Sequence, residues 1–99
     1  MNITYTARNC DFTEEMKEYF EKKIKKVKFY FNQILNINVI LSNERGNFNL
    51  EVKIPANHDT FFAEVTSSTW KECIDLVSDK IETEIKKKKD KLTDHHKSH

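Results

Sequence analysis

The amino-acid sequence predicts an α+β fold in which a four-stranded mixed sheet carries two roughly parallel helices on one face, in the order β-α-β-β-β-α. Three observations lead to this prediction. Four segments alternate apolar and polar residues with a period of two, which is typical of half-buried strands. Two further segments repeat apolar residues with the period of a helix. The single glycine and the single proline of the 99-residue chain fall between strand segments, where hairpins need turn residues.

The first two elements are a strand over residues 2–9 and a helix that begins near Thr13. In the strand, every second residue from Ile3 to Ala7 is apolar. Thr13 is a suitable N-cap because its hydroxyl can accept a hydrogen bond from a backbone N–H of the first turn, and the two glutamates that follow it complement the helix dipole. The apolar residues of this helix form one stripe at about 100° per residue. We predict that this stripe is buried: Met16, Phe20, Ile24, Val27 and Phe31.

Three more strands are predicted over residues 37–42, 47–54 and 60–67. Gly46 and Pro55 lie between them and are interpreted as turn residues of two hairpins. Each strand has one apolar face, and the residues of these faces are Ile37, Val39, Leu41, Phe48, Leu50, Val52, Ile54, Phe61, Ala63 and Val65. The opposite faces are polar, with two exceptions, Ile40 and Phe62. A sheet of this kind should be covered by helices on one side only.

The last element is a helix that begins after Thr69. Thr69 and Glu72 have the spacing of a capping box, in which each side chain accepts a hydrogen bond from the backbone N–H of the other residue. The apolar stripe of this helix comprises Trp70, Ile74, Val77, Ile81, Ile85 and Leu92. Beyond Ile85 the other faces are almost entirely lysine, so this end is predicted to extend past the sheet into water. We interpret residues 1–92 as one domain and residues 93–99 as a flexible tail.

Two lysine clusters, over residues 22–28 and 86–91, hold ten of the seventeen basic residues, although the formal net charge is only +1. In the predicted topology both helices run in the same direction along one face of the sheet, so their lysine-rich C-terminal halves meet at one end. We therefore predict one basic patch built from two distant segments. Judged from one helix alone, the alternative is a solvated helix end whose lysines complement the helix dipole.

The composition argues against several functional classes. No apolar run approaches the roughly 20 residues of a membrane span, and the first residues do not look like a signal peptide. We expect a cytoplasmic protein with reduced thiols at Cys10 and Cys73. We expect no metal, because the histidines lack the spacing of ligands: His58, His95, His96 and His99. With no phosphate-binding loop and no nucleophile motif, we expect neither a cofactor nor an enzyme.

Four stretches of the chain resemble the ribosome hibernation-promoting factor family, also known as the ribosome-associated inhibitor or protein Y family. They are "MNITYTARN", "FTEEMKEYFEKKIKKVKFYF", "NVILS" and "CIDLVSDKIETEIKKKKDKL". The last stretch carries most of the resemblance, and its matching positions are Ile74, Asp75, Asp79, Lys80, Ile81, Ile85, Lys86, Lys87, Lys89, Lys91 and Leu92. Departures from the family pattern occur at Lys28, Phe29, Trp70, Lys71 and Lys88.

The resemblance implies a fold like that of the double-stranded RNA-binding domain. It also implies a partner, the small ribosomal subunit, bound mainly through its ribosomal RNA in the cleft where tRNA and mRNA lie, so that translation is inhibited in idle cells. The positions that it implies for RNA contacts are Lys22, Lys23, Lys26, Lys80, Lys86, Lys87, Lys89 and Lys91. From the predicted patch we add Lys25, Lys28 and Lys88.

Several alternatives remain open at this stage. Arg8 is a further candidate for an RNA contact, and an ordinary exposed strand residue is an equal one. The whole protein could bind duplex RNA in general, or attach to anionic membranes through its lysines, although no apolar residues accompany the lysines past Leu92. Like the short family members the chain is expected to be a monomer, and whether another factor helps it to pair ribosomes is open. Asp75 and Asp79 are expected to pair with lysines, such as Lys71 for Asp75, rather than to act in catalysis.

Overall fold

A computed structural model describes residues 2–25, 36–56 and 59–97, with side chains over 2–25, 36–55 and 60–87. Its elements follow the predicted order β-α-β-β-β-α. They are β1 (Asn2–Arg8), α1 (Glu14–Ile24), β2 (Asn36–Glu44), β3 (Asn47–Ala56), β4 (Asp59–Ser67) and α2 (Trp70–Lys97).

The four strands form one mixed sheet in the order β1-β2-β3-β4. β1 pairs with β2 in parallel, whereas β2 with β3 and β3 with β4 pair in antiparallel fashion. The register brings Arg8, Ser42, Asn49 and Thr66 into one row across the sheet. Since β4 runs in the same direction as β1, the helices that follow these two strands start at the same end of the sheet. The prediction of a mixed sheet with two roughly parallel helices is therefore confirmed.

The hydrophobic core lies between the inner face of the sheet and the two helices. Alternation along the strands places the predicted apolar face inward, and the helical period directs one stripe of each helix toward it. The buried apolar residues are Met16, Phe20, Ile24, Ile37, Val39, Leu41, Leu50, Val52, Ile54, Phe61, Ala63, Cys73, Ile74, Val77, Ile81 and Ile85. Trp70 is only partly buried at the margin of this core. The predicted burial of Val27, Phe31 and Leu92 falls outside the side chains that the structure describes.

Both helices are capped by threonine, as predicted. The Thr13 hydroxyl accepts a hydrogen bond from the backbone N–H of Met16 at 3.2 Å, and the Thr69 hydroxyl accepts from that of Glu72 at 3.3 Å. In the second half of the α2 capping box, the Glu72 side chain is linked to the backbone N–H of Thr69 indirectly, through the Ser67 hydroxyl. The Ser67 hydroxyl donates to the Glu72 carboxylate and accepts from the Thr69 N–H at 3.5 Å.

One of the two turn predictions is confirmed and the other is wrong. Gly46 lies in the turn between β2 and β3 with a φ of 82°, next to Arg45 with a φ of 53°. These angles suit the tight turn that connects twisted antiparallel strands. Pro55 instead lies within β3, paired with Thr60 of β4. Proline is tolerated there because the pairing of β3 with β2 ends at Lys53, so its missing N–H does not interrupt that ladder.

Helix α2 is the longest element of the described chain. Its 28 residues correspond to about 42 Å, and its last buried residue among the described side chains is Ile85. The helical backbone continues to Lys97, past the boundary at residue 92 that we predicted for the domain. None of the described helices has a stretch long and apolar enough to cross a membrane.

Candidate functional site

Three predicted site lysines lie at the C-terminal end of α1. Lys22 is exposed, Lys23 is partly buried, and Lys25 is the exposed C-cap residue. Lysines suit this position because their charge interacts favourably with the C-terminal end of the helix dipole. Lys26 and Lys28, which we also predicted as RNA contacts, lie outside the residues that the structure describes.

The lysines of α2 follow the end of its buried stripe. Lys86 and Lys87 come directly after Ile85, the last buried residue of the described part of the helix, and both are exposed. Lys88, Lys89 and Lys91 lie on the same helix, but their side chains are outside the described part. A helix segment that has no sheet beneath it can carry lysine on every face without burying a charge.

The structure places the two lysine sets on helices that cover the same face of the sheet but at different levels along it, so the predicted meeting of the two sets at one end is not seen among the described residues. Lys23 contacts Asp75 and therefore lies beside this position of α2. Lys86 is eleven residues further along α2 than Asp75, which corresponds to about 16 Å. The described α1 lysines and the α2 run thus follow one another along a ridge and do not lie side by side.

Arg8 is a predicted site residue that lies apart from the described lysines of α1. It ends β1, whereas α1 runs back from that end of the sheet, and Glu21 near the end of α1 contacts Tyr5 in the middle of β1. The seven residues of β1 correspond to about 20 Å between the two ends. Arg8 is exposed, at the end of the row that continues with Ser42 of β2.

Lys23 takes part in a contact that joins the two helices. Its Nζ lies 3.3 Å from Asp75 Oδ1, and the Tyr19 hydroxyl donates to the same oxygen at 2.7 Å. The hydrogen bond and charge of Asp75 raise the pKa of Lys23, and the hydrogen bond to Asp75 raises the pKa of Tyr19. Sequence spacing suggested Lys71 as the partner of Asp75, but the ion pair that the structure shows reaches across to α1.

Lys80 is exposed and contacts the edge of the sheet. Its Nζ donates to the backbone carbonyl of Glu64 at 3.2 Å. Because β4 is an edge strand, a carbonyl on its free side has no neighbouring strand to bond it. Lys80 therefore contributes to covering this edge, and part of its hydrogen-bonding capacity is used within the fold.

An aromatic groove lies between α1 and the start of α2, and the sequence analysis did not predict it. The rings of Tyr19 and Trp70 meet at 84° with their centroids 5.8 Å apart. Lys71 Nζ lies 5.8 Å from the centroid of each ring. The groove has a volume of about 220 Å³ and is lined by Glu15, Glu18, Tyr19, Lys22, Trp70 and Lys71. The feature of the sequence that could have indicated this groove is that Trp70 and Lys71 both depart from the family pattern.

The outer face of the sheet holds a wider polar depression of about 520 Å³, lined by Ser42, Glu44, Arg45, Asn47, Asn49, Glu64 and Thr66. Its side chains bond to one another, since Thr66 donates to Asn49 at 2.9 Å and Asn49 donates to Glu64 at 2.9 Å. Among the described residues, no three histidine, cysteine, aspartate or glutamate side chains gather where they could hold a metal ion. Cys10 and Cys73 are free thiols.

Residues 3–93 match the family described as sigma 54 modulation protein / S30EA ribosomal protein. The chain belongs to this family. The match covers both helices and all four strands, and it confirms the resemblance that the four stretches suggested. Its members include proteins named ribosome hibernation promoting factor, to which the chain is similar over almost its whole length.

Three of these relatives differ in length. The factor from Escherichia coli K12 is 27% identical over 95 residues, which cover 96% of this chain and 100% of that protein. The factor from Azotobacter vinelandii is 30% identical, with 92% of this chain and 85% of that protein covered. The Bacillus subtilis factor is also 30% identical over 93% of this chain, but only 50% of its own length is matched.

Two solved structures share the fold. A ribosomal subunit interface protein from Coxiella burnetii superposes with a TM-score of 0.84 at 25% identity, covering 90% of this chain and 98% of the other. The N-terminal domain of Thermus thermophilus protein Y gives a TM-score of 0.79 at 25% identity, covering 88% and 98%.

Proposed function

We propose that this protein binds the small ribosomal subunit in the cleft that tRNA and mRNA occupy, and that it inhibits translation in idle cells. The observation that carries the proposal is the family match over residues 3–93, together with relatives that are named ribosome hibernation promoting factor. Inhibition needs no catalysis, because a bound protein and a tRNA cannot occupy the same space. The protein acts in the cytoplasm, as a monomer and without a cofactor.

The proposed contact surface is the lysine ridge formed by the last turn of α1 and the C-terminal half of α2. Each lysine that neutralises a phosphate releases counterions from the RNA, and this gives affinity that does not depend on base sequence and falls steeply with salt. An ammonium group is a point charge without the geometry to read bases. It suits ribosomal RNA, which proteins recognise largely by shape and by its backbone.

The lysines of this ridge are not equivalent in the proposed contact. Lys22, Lys25 and Lys87 are exposed and extend from the fold into solvent, so they are the first candidates for phosphates. Lys23 already has a carboxylate partner, and Lys80 already bonds the edge of the sheet. For these two lysines, binding a phosphate requires an exchange of partners, so each should contribute less affinity than an exposed lysine.

Competition for the cleft tests the proposed mode of action. Purified small subunits are incubated with the protein, either empty or loaded with mRNA and tRNA, and then sedimented. We expect the protein to pellet with empty subunits and to remain in the supernatant with loaded ones. Equal binding to both would contradict exclusion from the decoding cleft.

A second competition separates this proposal from general binding of duplex RNA. Protein bound to empty subunits is challenged with a large excess of unrelated duplex RNA at constant salt. A ribosome-specific factor should stay in the pellet, since the shape of the cleft adds to the phosphate contacts. A general duplex binder would be removed in proportion to the added duplex.

A further inference from the structure

The groove between α1 and α2 has a rigid aromatic wall. The Tyr19 ring is held at its hydroxyl, which donates to Asp75 at 2.7 Å, and at its side by the edge-to-face contact with Trp70. Asp75 is fixed in turn by Lys23 at 3.3 Å. The ring positions are therefore set before any ligand arrives, which lowers the entropy lost on binding.

Two lysines of this groove are available to an anion. Lys22 and Lys71 line it and are exposed, whereas the charge of the nearby Lys23 is balanced by Asp75. Lys71 Nζ lies over both aromatic rings, 5.8 Å from each centroid, so an anion bound to Lys71 would lie next to the rings. Aromatic rings with adjacent lysines are the combination by which proteins hold single-stranded nucleic acid, through base stacking and phosphate contacts.

We propose that this groove binds one unpaired nucleotide of RNA, whose base stacks on Trp70 next to Tyr19 and whose phosphate contacts Lys22 and Lys71. The groove, with a volume of about 220 Å³, is large enough to take one base, and a duplex offers it none because the bases of a duplex are stacked on each other and not exposed. The inference rests on the proposed function, because it takes the same class of ligand and adds a second point of attachment.

The groove continues the proposed lysine ridge. Lys22 belongs to both, and Lys25 follows it toward the C-terminal end of α1. An RNA backbone that runs along α1 can therefore contact the ridge and place one base in the groove. The lysines of the ridge contact only phosphates, whereas the aromatic groove provides a surface that binds an unstacked base.

Glu15 and Glu18 also line the groove, and their carboxylates lead us to predict which bases it prefers. Carboxylates repel phosphate but accept hydrogen bonds from the exocyclic amino groups of bases. Adenine, cytosine and guanine carry such a group and uracil does not. An oligoadenylate should accordingly bind more tightly than an oligouridylate of the same length.

The chain contains its own probe for this site. Trp70 is the only tryptophan, so the change in its emission on adding RNA reports directly on the groove. The titration uses single-stranded oligoadenylate, oligouridylate and a duplex, each of about ten nucleotides per strand, at low salt. We expect saturable quenching by oligoadenylate, weaker binding of oligouridylate, and no saturable quenching by the duplex.

Variants assign the effect to named side chains. Lys22→Gln and Lys71→Gln should each weaken the binding of oligoadenylate several-fold. Lys17→Gln is the matched control, since it makes the same change on the same helix but contacts Tyr5 and Glu14 outside the groove. Circular dichroism of each variant confirms that the fold is retained. The absence of saturable quenching in the wild type, or equal affinities for all three variants, would overturn the proposal.

The outcomes also separate this inference from the proposed function. If small subunits bind the protein while oligoadenylate leaves Trp70 emission unchanged, the groove inference fails and the proposed function stands. If oligoadenylate quenches Trp70 but small subunits do not bind, the proposed function fails and the groove remains an RNA site.

Discussion

The two halves of α2 have the same secondary structure but different surroundings. The half from Trp70 to Ile85 packs on the sheet, and its stripe of Ile74, Val77 and Ile81 is buried. Even its polar residues have partners in the fold, as Asp75 has in Lys23 and Lys80 in the carbonyl of Glu64. Lys86 and Lys87, which follow Ile85, are exposed. The comparison teaches that a substitution in the first half should be seen mainly in stability, and one in the second half mainly in binding.

The largest expected effect comes from opening the core beneath the helices. Phe20 is fully buried and its ring meets Tyr5 edge to face at 6.2 Å. Phe20→Ala should lower the free energy of unfolding by about 3–5 kcal/mol, because the lost contacts leave a cavity. Urea unfolding followed by circular dichroism measures this. The control Lys87→Ala should change the free energy of unfolding by less than about 0.5 kcal/mol. A large loss of stability in this variant would contradict the difference that we infer between the two halves of α2.

The next effect is a loss of stability at alkaline pH. Burial and the hydrogen bond to Glu21 raise the pKa of Tyr5 above its ordinary value of 10.0, and the pKa values of Tyr19 and Lys23 are raised as well. A raised pKa in the folded state gives stability that is complete below the unfolded pKa and is lost as pH rises through the folded one. Unfolding should therefore become easier above about pH 10.

Urea midpoints measured from pH 8 to pH 11 check this expectation. Tyr5→Phe keeps the ring that packs on Phe12 and Phe20 but removes a group that titrates. The variant should lose less stability over this range than the wild type. Parallel curves for the two proteins would show that Tyr5 does not contribute.

Asp75 sharpens the comparison because it links stability to binding. Asp75→Asn keeps an acceptor for Tyr19 but removes the charge that holds Lys23. We expect a lower urea midpoint and, since Lys23 is released, tighter binding of empty small subunits, with a salt slope in sedimentation steeper by about one counterion. Asp79→Asn is the matched control, one turn further along the helix with the same change of charge. Equal slopes for the two variants would mean that overall charge, and not the partner of Lys23, sets the effect.

The smallest expected effect lies in the turn before β3, where the backbone matters and the side chain does not. Arg45 has a φ of 53° in this turn, and asparagine adopts such an angle more readily than arginine. Arg45→Asn should raise the free energy of unfolding by about 0.5 kcal/mol. The control Lys53→Asn also introduces asparagine, but in the extended backbone of β3, and should not stabilise the protein. Urea midpoints of the two variants decide the matter.

Sequence periodicity was enough to predict the sheet, the helices and most of the core, because a buried stripe has the same spacing whatever it packs against. It did not predict Pro55 correctly, since the sequence does not show where a ladder ends. The contact of Lys23 with Asp75 could not be predicted either, because spacing identifies neighbours on one helix and not the rotation of one helix against another. The distance of Arg8 from the lysines, in contrast, follows from the predicted topology, which places the end of β1 opposite the C-terminal ends of both helices.

The most direct test of the central claim is a charge reversal on the exposed half of α2. Lys86→Glu/Lys87→Glu is compared with Lys17→Glu/Lys53→Glu, which makes the same change of charge away from the ridge, by sedimentation with empty small subunits at two salt concentrations. The account predicts that the wild type and the control variant pellet at low salt and less at high salt, while the ridge variant stays in the supernatant although it is folded. Loss of binding in both variants, or in neither, would contradict it.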